Sequence, residues 1–139
     1  MEVDFAFLSD VAHVADNKLY VLGGAFDTIW ARTAPAVHSR LAFVMRLLLS
    51  PAELDRKHAL EISVVDADGK AVGGRFKGEI NVQRNSRIPS GLRQGILVTL
   101  DFQNLKFEKF GEYTFDVLVN NSSVKTVDLR VVQLSDAKP

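Results

Sequence analysis

The side chains that could perform acid–base or metal chemistry are few and far apart in this chain. Its three histidines, His13, His38 and His58, show neither the His-x-x-x-His nor the Glu-x-x-His spacing that would hold zinc. No Gly-x-Ser-x-Gly elbow and no Walker phosphate loop is present, and cysteine is absent. The sequence therefore predicts a protein that is not an enzyme, with no cofactor and no catalytic or metal site. A triad assembled from distant residues remains an open alternative.

Three arginines, Arg84, Arg87 and Arg93, lie within the loop-like segment 83–94. Guanidinium groups and free backbone amides both suit phosphate or carboxylate, so this segment is a candidate site for an anionic metabolite or a saccharide. The segment lacks aromatic residues, which argues against stacking on single-stranded nucleic acid. A solvated loop without a ligand is the competing interpretation, and the sequence favours it.

The only tryptophan, Trp30, lies close in sequence to Phe26, Asp27 and Arg32. An aromatic residue with a nearby arginine is typical of the hot spots in protein interfaces. These four residues are therefore candidates for binding a protein partner. The competing interpretation places Trp30 and Phe26 in the core, and it is favoured because large aromatic side chains are highly buried on average.

The elements that must position these residues are β-strands. Apolar residues alternate with polar ones in most segments, and most clearly in Glu112–Val119 and from Val127 to Val131, on either side of the cluster Asn120–Ser123. Period-two alternation puts one apolar row on a core, and a four-residue Asn/Ser cluster predicts the turn of a hairpin. About eight or nine such strands, spaced by turns, predict an all-β, single-domain antiparallel β-sandwich over residues 1–134. Residues 135–139 are expected to be a frayed tail.

One segment, Leu41–Leu49, is apolar on both faces. Leu41, Phe43 and Met45 begin one row, while Val44 and Leu48 belong to the other. Such a strand requires cover on both sides, either from a loop of the same chain or from another subunit, and a helix is the competing interpretation. Val44 and Leu48 are therefore candidates for contact with a partner or with a second copy in a homodimer. The following Ser50–Glu53 predicts one short helical turn, with serine as N-cap and proline at the first position.

Bulk composition limits the possible partners and location. The chain has 139 residues, 47% of them hydrophobic, and 17 basic and 17 acidic side chains cancel to a formal charge of zero. No overall field exists to hold nucleic acid or anionic lipid, and no apolar run approaches the roughly 20 residues of a membrane-spanning helix. The absence of cysteine and the acidic start Met1–Asp4 favour a soluble, cytoplasmic protein without a secretory signal.

Two stretches near the start, Glu2–Asp10 and Lys18–Ile29, resemble the opening of an uncharacterised family of small bacterial proteins, a domain of unknown function. The resemblance includes the turn Ser50–Glu53 and the hairpin start Gly111–Phe115. It implies a bacterial β-sandwich and brings no activity with it. The hairpin alone is similar to the closing strands of immunoglobulin-like sandwiches, although the chain has no Cys…Trp…Cys framework.

Together these observations predict a non-enzymatic interaction module that binds a protein partner or itself. It would use the apolar face around Leu41–Leu49 or the Trp30 region. The alternative is a small-ligand module that holds an anion or saccharide through Arg84, Arg87 and Arg93.

Overall fold

A computed structural model of the chain describes residues 1–73 and 75–135. These residues form nine β-strands and one short 3₁₀ turn at Pro51–Glu53. In chain order the strands are β1 (Glu2–Ala15), β2 (Lys18–Gly24), β3 (Thr28–Ala31), β4 (Ala36–Leu49), β5 (Lys57–Asp66), β6 (Phe76–Asn81), β7 (Gln94–Phe107), β8 (Gly111–Val119) and β9 (Ser122–Gln133). The predicted turn after Ser50 is confirmed, and the helical alternative for Leu41–Leu49 is wrong because that segment is the second half of β4.

The strands form two sheets. The first has the order β2-β1-β4-β7 and is antiparallel throughout, while the second has the order β3-β9-β8-β5-β6. In the second sheet only the short β3 runs parallel to its neighbour β9. This arrangement confirms the single-domain, all-β sandwich predicted from the alternation pattern. The boundary at residue 134 stays a prediction, and most of the predicted tail, residues 136–139, lies outside the described residues.

The core lies between the two sheets and is built from alternate residues of nearly every strand. Phe43 of β4 stacks on Phe115 of β8 with ring centroids 5.8 Å apart, which joins the central strands of the two sheets. Phe107 and Tyr113 make a second contact between the sheets, edge to face at 4.8 Å. Each large apolar side chain that is fully buried contributes about 1.5–3 kcal/mol of transfer free energy. The contacts between these facing rows of side chains hold the two sheets in a fixed position relative to each other.

The hairpin of β1 and β2 lies back over the outer face of the first sheet. β1 pairs with β4 only as far as Ser9, and from Val11 onward it pairs with β2 alone. Val14 in the outer half of β1 lines a cleft together with Arg46 and Leu97, which lie on β4 and β7. The sandwich therefore carries a partial third layer.

The β8–β9 hairpin turns on two residues, Asn120 and Asn121, whose φ angles are 50° and 67°. Positive φ at both central residues matches the type I′ turn, whose twist suits the flanking strands, and asparagine tolerates it better than most residues. The predicted four-residue turn was too long. Ser122 and Ser123 already belong to β9 and pair with the end of β8.

Candidate functional site

A groove of about 460 Å³ opens beside β3, the edge strand of the second sheet. Residues from four consecutive segments of the chain line it: Asp10, Gly23, Gly24, Phe26, Thr28, Ile29, Trp30 and His38. The groove thus lies where the chain leaves the β1–β2 hairpin, forms β3 and enters β4.

Trp30 presents its side chain to solvent at this groove and is 55% exposed. Its neighbour Ile29 is buried in the core, and the alternation of β3 turns Trp30 to the opposite face. There it lies across from Val132 of β9. The favoured interpretation from sequence, that Trp30 fills the core, is therefore wrong for this residue. Phe26 is half-buried and packs against the core, so for Phe26 that interpretation is partly correct.

Two glycines allow the chain to turn out of β2 toward β3. Gly23 has a φ of 65°, and a Cβ there would lie 2.3 Å from an oxygen of the Asp10 carboxylate. A Cβ at Gly24 would lie 2.6 Å from a neighbouring side chain. The following Ala25 donates its backbone N–H to the Leu8 carbonyl at 2.7 Å. The close approach of the chain to β1 at this point sets the position of the groove wall.

The two charged residues predicted alongside the aromatic pair do not line the groove. Asp27 lies near Arg130, with 3.8 Å between its carboxylate and the guanidinium, and its carbonyl accepts the Arg130 backbone N–H at 2.8 Å. Arg32 is exposed beyond β3, and its carbonyl accepts a hydrogen bond from the Gln133 side chain at 3.4 Å. Of the four residues predicted to contact a partner in this region, the structure places only Phe26 and Trp30 together at the groove.

The outward side of the β1–β2 hairpin carries further exposed apolar residues. Leu22 is 72% exposed, and Val11, its cross-strand partner, is also exposed. Tyr20 is exposed as well and lies opposite His13. Sequence reasoning missed these residues. The signal was available, because Leu19–Leu22 is apolar on both faces and a two-stranded hairpin can bury only one of them against the sheet.

Val44 and Leu48, predicted to contact a partner, are located on β4 in the middle of the first sheet. Val44 has no exposed surface although it lies outside the cluster that fills the space between the sheets. Its cover comes from the chain's own third layer, the β1–β2 hairpin. Leu48 is half-buried. A partner could reach Leu48 at this face but could not reach Val44 in the folded chain.

The three arginines of the segment 83–94 point toward acidic or polar groups of the same chain or into solvent. Arg84 lies 3.8 Å from the Asp55 carboxylate and donates to the Pro51 carbonyl at 3.3 Å. Arg93 pairs with Glu2 at 2.5 Å. The side chain of Arg87 is exposed. The cleft at this end of the sandwich is lined by Arg93 but not by the other two, so the three guanidinium groups do not converge on one pocket.

The histidines are held on separate elements: β1 carries His13, β4 carries His38 and β5 carries His58. His58 is buried, with its Nε2 2.7 Å from the Glu53 carbonyl and its Nδ1 3.1 Å from the amide nitrogen of Asn120. Because an amide nitrogen can only donate, Nδ1 accepts and the ring proton sits on Nε2. His58 therefore ties β5 to the 3₁₀ turn and to the β8–β9 turn. Within residues 1–73 and 75–135, no group of three or more His, Asp or Glu side chains could hold a metal ion.

The fold and this site define a small, single-domain, all-β sandwich with an exposed aromatic groove at one sheet edge. A family model matches residues 4–132, and the chain belongs to that family, the family of unknown function DUF6941. The resemblance to an uncharacterised family seen in the sequence is thereby confirmed. Searches among curated proteins and among solved structures each found no match. Among the described residues, no helix is long and apolar enough to cross a membrane.

Proposed function

We propose that this protein is a non-enzymatic interaction module that binds a protein partner through the groove beside β3, with Trp30 as the central contact. The observation that carries the proposal is the 55% exposure of the only tryptophan at the rim of an apolar groove. Tryptophan is enriched in interface hot spots because its large, rigid ring buries much area at little entropic cost.

The surroundings of Trp30 favour a protein over a small molecule. β3 is an edge strand, so its outer backbone N–H and C=O groups are open to an extended segment of a partner. The exposed Leu22 and Tyr20 lie on the hairpin that contributes Asp10, Gly23 and Gly24 to the groove. A protein partner can cover the groove and the edge of β3 at once.

A photo-crosslinking experiment in the native host tests this proposal. A photoreactive phenylalanine analogue at position 30 is expected to capture one dominant protein, which is then purified and titrated against the chain. Trp30→Ala should weaken that binding by at least about tenfold, since hot-spot truncations cost about 2 kcal/mol or more. Leu92→Ala is the matched control, because Leu92 is also 55% exposed but lies in the arginine-containing loop. Equal affinity of the Trp30→Ala protein and the wild type would contradict the proposal.

The alternative function, a module for an anionic metabolite or saccharide, has less support from the geometry. Two of its three arginines, Arg84 and Arg93, already have carboxylate partners within 4 Å in the same chain. A ligand would have to compete with Asp55 and Glu2 for them. The proposed partners accordingly include no nucleic acid and no membrane, in keeping with the formal charge of zero.

We also infer that the sandwich is immunoglobulin-like. The neighbours β5-β8-β9 correspond to the C-F-G order of that fold, and β1-β4-β7 correspond to A-B-E. Tyr113, near the start of β8, donates its hydroxyl to the Lys109 carbonyl at 2.5 Å, which matches the tyrosine corner of many such domains. The bacterial origin and cytoplasmic location predicted from the sequence remain parts of the proposal, and fractionation of the native host tests the location.

A further inference from the structure

Four strands form the edges of the two sheets: β2 and β7 in the first, β3 and β6 in the second. An edge strand offers unpaired backbone groups to another strand, and proteins usually protect such edges with short strands, charges or bulges. β3 has only four residues, the next-to-last residue of β2 is Gly23 with its positive φ, and β6 carries exposed Lys77 and Glu79. Each of these three edges is therefore short, irregular or charged, and none offers a long, uncharged row of unpaired backbone groups.

β7 is the exception. It has fourteen residues, and all of its strand pairing is with β4 on one side. Its segment Gly95–Leu100 contains no charged residue and no proline, and it is rich in β-forming side chains. In the described part of the chain, no backbone hydrogen bond joins the other edge of this segment to another strand or loop. A long, uncharged edge of this kind is a template for a further strand.

The core is also open on this side. A groove of about 480 Å³ lies between β6 and β7, and its apolar lining includes Phe76, Ile80, Ile96 and Val98. Ile96 and Val98 pack against the core and yet remain half-buried. A strand added beside β7 would extend the first sheet, and its inward side chains would cover this groove. One kind of occupant would therefore fit both the free edge of β7 and the groove between β6 and β7: an extended strand with alternate apolar residues.

We propose that the occupant is β7 of a second copy of this chain, paired antiparallel about a two-fold axis. β7 itself has the required alternation, with Ile96, Val98 and Leu100 inward. Its pairing with a copy of itself is the self-complementary contact that two-fold symmetry demands. The formal charge of zero means that two copies do not repel each other overall.

Charge complementarity selects the register. Across the interface, core-facing residues of one β7 must lie opposite core-facing residues of the other. In an antiparallel pair of identical strands this requires that one residue of β7 lies on the two-fold axis, opposite its own copy. With Leu97 there, Arg93 of each copy lies opposite Asp101 of the other, which gives two opposite-charge pairs. With Asp101 on the axis, the two carboxylates would face each other. Arg93 and Asp101 contact Glu2 and Arg40 of their own chain, but their side chains are 55% and 42% exposed and so can take part in a wider ion-pair network.

A charge-exchange experiment tests both the dimer and its register. Sedimentation is expected to show a dimer for the wild type. Arg93→Asp and Asp101→Arg should each weaken dimerisation by about tenfold or more, because each places two like-charge pairs in the interface. An equimolar mixture of the two variants should dimerise about as well as the wild type, since every contact then pairs opposite charges. Lys106→Glu is the matched control, because Lys106 lies on β7 beyond the paired segment.

Circular dichroism checks that each variant is folded, and hydrogen exchange gives a second readout. The amides of Gly95–Leu100 that point to the free edge should exchange more slowly at high protein concentration than at low. A wild type that is monomeric at every concentration would overturn the proposal. So would a dimer whose stability is unchanged by both charge reversals. The proposal would also fail if the Gly95–Leu100 amides became protected from exchange only when a different protein was added. Trp30 lies outside this interface, so Trp30→Ala should leave dimerisation unchanged. The test of the β7 dimer can therefore fail or succeed independently of the test of partner binding through Trp30.

Discussion

At the scale of single residues, Glu53 is the best-connected carboxylate described in the chain. Burial acts to raise its pKa, but hydrogen bonds from the Met1 ammonium group and from the backbone N–H and hydroxyl of Ser50 outweigh burial. Together with the charge of the ammonium group, they lower the pKa from 4.5 to about 2. The carboxylate is 24% exposed, so these interactions are only partly screened by water. The ionised form of Glu53 joins the start of β1 to the turn after β4.

This ion pair predicts an acid-sensitive contribution to stability. A pKa that is lower in the folded than in the unfolded state stabilises the fold above about pH 4.5, and the gain is lost as the pH falls toward about 2. The contribution at pH 7 is at most about 3 kcal/mol. Glu53→Gln should therefore lower the free energy of unfolding at pH 7 and flatten its decline between pH 5 and pH 2. Urea titrations at several pH values measure this.

Glu79→Gln is the control for that experiment, because Glu79 is an exposed carboxylate on β6. Its substitution should change the free energy of unfolding by less than about 0.5 kcal/mol. An equal pH profile for the Glu53→Gln protein and the wild type would show that the contact with Met1 does not stabilise the fold.

At the scale of elements, the β1–β2 hairpin explains why β4 is apolar on both faces. One row of β4, which includes Phe43 and Leu47, fills the space between the sheets. The other row includes Ala42 and Val44, which have no exposed surface because the hairpin lies over them. From the sequence, either the chain itself or a second subunit could cover the outer face of β4. In the structure the chain itself provides most of that cover. The surfaces that we propose for partners lie elsewhere, at the edges of β3 and β7.

The cover over β4 predicts a difference between two identical substitutions on one strand. Val44→Ala should lower the free energy of unfolding by about 2 kcal/mol, because it leaves a cavity beneath the hairpin. Val37→Ala, also on β4, should change it by less than about 0.5 kcal/mol, because Val37 is 60% exposed. Urea denaturation of both variants measures the difference. Equally small effects would mean that the hairpin does not pack on this face in solution.

At the scale of the whole molecule, the order of the strands makes the two sheets interdependent. The chain forms β1 and β2 in the first sheet, β3 in the second, β4 in the first, β5 and β6 in the second, β7 in the first, and β8 and β9 in the second. Neither sheet comes from one continuous segment, and the two sheets share one core, so the loss of either sheet would expose the apolar face of the other. We therefore expect the chain to unfold as one cooperative unit.

Trp30 makes this expectation measurable, because the only tryptophan lies on the four-residue edge strand β3. Tryptophan fluorescence should follow β3, while far-ultraviolet circular dichroism follows all strands. At one fixed protein concentration, the two signals should give the same urea midpoint. A fluorescence change at distinctly lower urea would show that β3 detaches before the rest of the sandwich unfolds.

The sequence by itself determined the strands, the short turn after Ser50 and the sandwich class. These follow from local physics: a pleated strand places alternate residues on opposite faces, and serine, proline, asparagine and glycine stop or turn the chain through their own backbone preferences. The same local pattern identified Leu41–Leu49 as needing cover on both sides. It also pointed to Phe26 and Trp30 as a possible contact surface.

Only the tertiary structure decided which face of each strand is buried and what covers it. Trp30 is exposed because Ile29 takes the inward position of β3, and Val44 is buried because a hairpin distant in sequence folds over it. Arg84 and Arg93 pair with acids that are far from them in sequence. The burial of these side chains and the pairing of these charges depend on which distant segments meet and in what register. The local alternation of apolar and polar residues does not encode either, because both faces of a strand satisfy the same backbone geometry.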